Sequence, residues 1–149
     1  MGKLSSLVEG KLIAFDSAPL IYYIEEHPEY LALADELFDT LDRESTQGMT
    51  SVLTLQEVLV KPLRDGRTDL ADQYLDILTK SRNITLHVID QAVCESAARL
   101  RARYGWLRTP DALQVATAIE HRAQMIITND DRWRKLTEIE VAVLRNFLQ

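Results

Sequence analysis

Four carboxylates sit where the chain turns from apolar to polar. Asp16 closes the run "KLIAF", Glu57 lies inside "VLTLQEVLV", Asp111 falls in "TPDALQ", and Asp130 follows "MIITN". Each has an ordinary explanation. Asp16 can cap a helix, Asp111 can be an acid favoured by a helix dipole, Asp131 can cap the segment beginning at Arg132, and Glu57 can pair with Lys61 one turn on. Their conjunction implies different chemistry. Brought within about 5 Å, each pair of ionised acids would repel by roughly 3 kcal/mol at an effective dielectric near 20. Such a cluster needs protonation or a hard divalent cation. Donors that are all oxygen, with no histidine or cysteine at metal spacing, favour Mg²⁺ or Mn²⁺ over Zn²⁺. A hard cation held this way can polarise a bound oxygen and make a bound water more acidic.

The elements that must position these acids are legible from periodicity. "KLIAF" reads as a buried strand, with a helix after it from about Pro19. Residues 29–44 place Leu31, Ala34, Leu37, Phe38 and Leu41 at helical spacing. Gly48, Met49 and Thr50 suggest a short strand, followed by a helix ending at Lys61, before Pro62. "RDGRTD" is a turn, and residues 68–80 a helix with Leu70, Tyr74, Ile77 and Leu78 inward. Residues 84–90 read as a strand and 91–104 as a helix. Thr109 is expected to cap the next helix, with Pro110 in its first position; "QMIIT" and residues 140–144 complete the strands. Alternating strands and helices imply an α/β fold, a three-layer α/β/α sandwich around a mainly parallel sheet. In such a sheet, ligands bind beyond the carboxyl ends of the strands, where Asp16 and Asp130 fall.

The 149 residues suit one domain, spanning 1–149. The 46% hydrophobic and 27% charged composition is that of a soluble globular protein. No apolar run approaches the roughly 20 residues of a membrane span, and the N-terminus lacks an uninterrupted signal-peptide core. Cytoplasmic location without membrane attachment is therefore expected. Gly2 and Ser6 match the loose myristoylation pattern, which is too short to carry weight. The single Cys94 is expected to pack within a helix, and His27, His87 and His121 fall in unrelated elements with structural roles. The net charge of −6 is unevenly spread: residues 1–98 carry −9, and residues 99–135 carry +4. The second stretch can attract phosphates although the protein is acidic.

The order of Asp16-Ser17 after a strand, helix-borne Glu57 and "TPDALQVATAIEHRAQMIITND" resembles the PIN-domain ribonucleases, particularly the VapC-like toxins of type II toxin–antitoxin pairs. The resemblance runs from about residue 11 to residue 144. It implies a Mg²⁺- or Mn²⁺-dependent endoribonuclease with an acidic pocket at the strand ends. Asp16, Glu57, Asp111 and Asp130 match the family's acidic quartet, Asp16 and Asp111 as principal metal ligands. Ser17, Thr128 and Asn129 match its supporting polar residues, with Asp131 as an additional acid. Trp133 stands where the family more often has phenylalanine. Arg108, Arg132, Arg134 and Lys135 would meet RNA phosphates. The resemblance further implies a small antitoxin partner that blocks the pocket. A homodimer through apolar helix faces is also expected, with Tyr22, Tyr23, Leu31, Leu37 and Phe38 as candidates.

Three other readings stand beside it. A receiver domain would show an acidic pair near the first strand end, where this chain has "AFDSAP", and an aspartyl phosphatase would need D-x-D, but position 18 is alanine. A non-catalytic PIN-like binding module would most simply lack acids, and all four are present.

Overall fold

The computed structural model describes residues 2–43 and 45–149. In chain order the elements are α1 (Lys3–Val8), β1 (Leu12–Phe15), α2 (Ser17–Ile24), α3 (Leu31–Asp42), β2 (Gln47–Ser51), α4 (Val52–Arg64), α5 (Thr68–Lys80), β3 (Ile84–His87), α6 (Gln91–Arg103), α7 (Thr109–Glu120), β4 (Met125–Thr128) and β5 (Glu140–Val143). Short 3₁₀ turns follow β4 (Asp131–Lys135) and β5 (Leu144–Phe147). The strands pair in the order β3-β2-β1-β4-β5, every neighbouring pair parallel.

Strand alternation divides the core in two. Ile13, Phe15, Met125 and Ile127 face a cluster built with Leu20, Leu37, Phe38, Tyr74 and Leu78. Ala14, Met49 and Ile126 face the other, filled by Val93, Leu100, Val115 and Trp133. Helices thus cover both faces of the sheet, the three-layer α/β/α sandwich expected of a PIN-like fold.

Several boundaries differ from expectation for local reasons. α2 starts at Ser17 rather than Pro19, because Asp16 Oδ1 accepts from the Ala18 N–H. α3 starts at Leu31, after His27 Nδ1 has taken the N–H groups of Glu29 and Tyr30; residue 44 lies outside the described residues. α4 runs through Pro62 to Arg64. Proline there forfeits one late helical bond, while the Lys61 and Pro62 carbonyls still accept from Asp65 and Arg67. The expected turn follows, with Gly66 in the left-handed region at φ 68°. β3 stops at His87 because Asp90 caps α6, accepting from the Val93 N–H at 2.9 Å. The N-cap of α7 is Arg108, and Thr109 is already helical. Gln124 precedes β4, its side-chain oxygen accepting from the Leu12 N–H. α1 was not expected from the sequence.

Two side-chain expectations are corrected. Cys94 is exposed, so it does not pack within the protein. Leu37 and Phe38 belong to the core and cannot form a dimer face, whereas Tyr22, Tyr23 and Leu31 keep some exposure. His87 and His121, from separate elements, meet in a contact that the sequence did not indicate: their rings stack with centroids 3.6 Å apart. Among the described residues, no helix is long and apolar enough to cross a membrane.

Candidate active site

Asp16 leaves β1 and Asp130 follows β4, its hydrogen-bonded neighbour, so both acids emerge at the same end of the sheet. α7 brings Asp111 there in its first turn. The three line an open depression of about 500 Å³ with Thr128, Tyr22 and Arg145. Asn129 and Asp131 also border it. Glu57 approaches from α4 and is exposed; its charge acts on Asp16 and Asp111 although it does not line the depression.

Asp16 is held from two sides. Its Oδ1 accepts from the Ala18 N–H at 3.2 Å, and its Oδ2 from the Thr128 hydroxyl at 2.7 Å. Burial pushes its carboxyl up to about 7, against those two hydrogen bonds, and the charges of Asp111 and Glu57 push the same way. Burial also raises Asp111, with Asp130 and Glu57 adding to the effect and Arg108 and Arg132 opposing it. Among the described residues, no ion pair joins Asp16 or Asp111 to a cation.

Asp130 is different. Arg132 grips its carboxylate through Nε at 3.1 Å and Nη2 at 2.8 Å, and the Arg132 backbone N–H adds a third bond. These contacts hold Asp130 below the ordinary carboxylate range. Arg132 was expected at RNA phosphates; its guanidinium holds an acid of the depression and stays exposed. Arg134 likewise pairs with Asp131 at 3.6 Å, while Arg108 and Lys135 remain exposed.

Behind the acids lies a polar chain. Thr50 donates to the Phe15 carbonyl and bonds Thr54; Gln114 Nε2 donates to Thr54 at 2.8 Å and to Glu57 Oε1 at 3.2 Å. Ser17 donates to the same Glu57 oxygen at 2.7 Å. Glu57 is thus oriented from α2 and α7, and the i, i+4 pairing with Lys61 does not form among the described residues. Gln114 was missed in the sequence although it follows Asp111 by three positions, on the same helix face. Arg145 carried no sequence signal. Its backbone N–H and guanidinium bind Asn129, whose amide donates to the Tyr22 hydroxyl.

The donor set fits a hard divalent ion: every candidate ligand is a carboxylate oxygen, and Asp16 is desolvated beside like charges that a cation would offset. No group of three or more His, Cys, Asp or Glu side chains is already drawn together to metal-holding distance among the described residues.

Solved structures share this architecture. VapBC2 from Rickettsia felis bound to a promoter DNA fragment matches with a TM-score of 0.70 at 16% identity, over 89% of this chain and 98% of that one. A toxin–antitoxin complex from Klebsiella pneumoniae matches at TM-score 0.66 and 24% identity, over 89% and 97%. VapBC-5 from Mycobacterium tuberculosis matches at 0.59 and 21%, over 89% and 98%. At these identities the likeness shows the fold. No curated protein matches the sequence. The PIN domain model matches residues 13–139, from within β1 to just before β5 and across every acid of the quartet. This chain belongs to the PIN domain family, whose members are generally nucleases.

Proposed function

We propose that the chain is a metal-dependent endoribonuclease and the toxin of a toxin–antitoxin pair. The observation that carries this reading is the convergence of Asp16, Asp111 and Asp130 on one open depression, with Glu57 oriented beside them. Asp16 and Asp111 would be the principal ligands of Mg²⁺ or Mn²⁺, with Glu57 and Asp130 completing the set or supporting it. The bound ion would supply charge stabilisation at the scissile phosphate and a more acidic water. Thr128 and the Ala18 N–H fix both oxygens of Asp16, so the ligand needs little reorganisation. Ser17 and Gln114 occupy Oε1 of Glu57 and leave Oε2 to take the proton of the attacking water. In-line attack on phosphorus breaks the P–O3′ bond and leaves a 5′ phosphate and a 3′ hydroxyl.

Purified chain is expected to cut single-stranded RNA with Mg²⁺ or Mn²⁺ and not with EDTA, and Asp111→Asn to lose the activity. Full cleavage by that variant would contradict the assignment. Gln114→Leu should keep RNA affinity and lower turnover by about 10- to 100-fold, the usual effect of removing a group that orients a ligand. Wild-type turnover in that variant would show that the amide does not position Glu57.

The structural neighbours include a toxin–antitoxin complex and a member of the VapBC toxin–antitoxin family, which supports a small antitoxin as partner. The depression suits a basic side chain from it. A homodimer using Tyr22, Tyr23 and Leu31, and cytoplasmic action, belong to the same reading; a strict monomer in light scattering would remove the dimer. A second reading, a non-catalytic PIN-like binding module, draws on one observation: Arg132 already neutralises Asp130. Absence of both cleavage and metal binding would favour it.

A further inference from the structure

We propose that Trp106 is a stacking platform for an unpaired nucleotide base beside the acidic depression. The proposal rests on the nuclease reading and adds a residue that recognises substrate.

Trp106 is partly exposed, its inner part packed on the second core cluster. Two segments that serve the depression meet at its ring. Residues 104–108 lead into α7 and Asp111; the 3₁₀ turn after Asp130 supplies Arg132 and Lys135. The Arg132 guanidinium carbon lies 5.8 Å from the centre of the Trp106 ring, and Lys135 Nζ lies 5.9 Å from it. Arg132 also holds Asp130. One side chain therefore spans from the ring to an acid of the depression. Tyr104, with its centroid 5.9 Å from that of Trp106, extends the aromatic surface.

A partly exposed indole flanked by cations suits single-stranded nucleic acid, since the bases have π faces and the backbone is anionic. Arg108, Arg132 and Lys135 are all exposed in this region. These cations match the anionic backbone of RNA on either side of a stacked base. Core packing accounts for the buried part of the indole and Asp130 accounts for Arg132, but neither accounts for Lys135 at the ring.

The test is binding of a short single-stranded RNA to the Asp111→Asn chain in Mg²⁺, which keeps the substrate intact. The only other tryptophan, Trp133, is 1% exposed, so indole quenching on binding reports Trp106. Trp106→Leu should abolish the quench and weaken binding by about tenfold or more, and Trp106→Phe, which keeps a π face, should lose less. Lys135→Gln should lower the salt dependence by about one phosphate contact. Equal affinities for wild type, Phe and Leu, with wild-type cleavage intact, would overturn the platform and leave the nuclease reading standing. Unchanged RNA affinity with weakened antitoxin binding would assign the ring to protein docking and likewise overturn it. Failure of the wild type to bind or cut RNA would overturn both.

Discussion

Asp16→Asn is expected to abolish cleavage and, in the same protein, to stabilise the metal-free fold at pH 8 by about 2–4 kcal/mol. The two effects share one cause. Burial raises the Asp16 carboxyl from 3.8 to about 7, so the folded chain binds this proton more tightly than the unfolded chain. Between those values the folded state carries more protons, and stability therefore falls as pH rises through the window. Above pH 7 the full cost of a buried, repelled carboxylate is present. Asparagine is nearly isosteric and uncharged; its one amide oxygen keeps the bond from Thr128 and gives up that from the Ala18 N–H, which takes back part of the gain. Urea unfolding in EDTA at pH 5 and pH 8 measures the effect. The wild type should lose stability between the two, and the variant should not through this group. A variant less stable than wild type at pH 8 would mean that Asp16 is compensated within the chain.

Trp133→Ala should cost about 3–5 kcal/mol, among the largest losses available to one substitution here. The indole is 1% exposed and packs in the cluster that holds α6 and α7 to the sheet. Its backbone N–H bonds the Asp130 carbonyl at 3.1 Å, so a loosened residue 133 also frees the turn that carries Asp130 and Arg132. Trp133→Phe should behave quite differently. Among the described residues Trp133 Nε1 has no hydrogen-bond partner, and removing a buried unpaired donor recovers about 1–3 kcal/mol, offsetting the smaller ring. Thermal unfolding should place the phenylalanine variant close to wild type and the alanine variant roughly 10 °C lower. Equal losses would show that the indole N–H is satisfied in solution.

The sheet was legible because its strands are short apolar runs between helical periods: "KLIAF" and "MIIT" announce β1 and β4 and place two acids at one end. Asp111 was legible through the Thr109–Pro110 start of α7. What the sequence hid depends on contacts between elements. Glu57 seemed conspicuous among apolar neighbours, yet it is exposed, and its importance lies in Ser17 and Gln114, which are 40 and 57 residues away. The cations were visible as a local excess of positive charge, but periodicity does not say which neighbour each will meet. Arg132 binds Asp130 two residues earlier, Arg134 binds Asp131, and Lys135 lies at Trp106. The stacking of His87 on His121 was hidden for the same reason.

Calorimetric titration of Mn²⁺ into the metal-free chain at pH 7, repeated in two buffers of different ionisation heat, tests the metal centre most directly. Saturable binding is expected, severely weakened by Asp16→Asn and by Asp111→Asn, with protons released on binding because burial raises the Asp16 carboxyl. Absence of saturable binding, or binding that both variants retain unchanged, would contradict a metal centre built on these carboxylates.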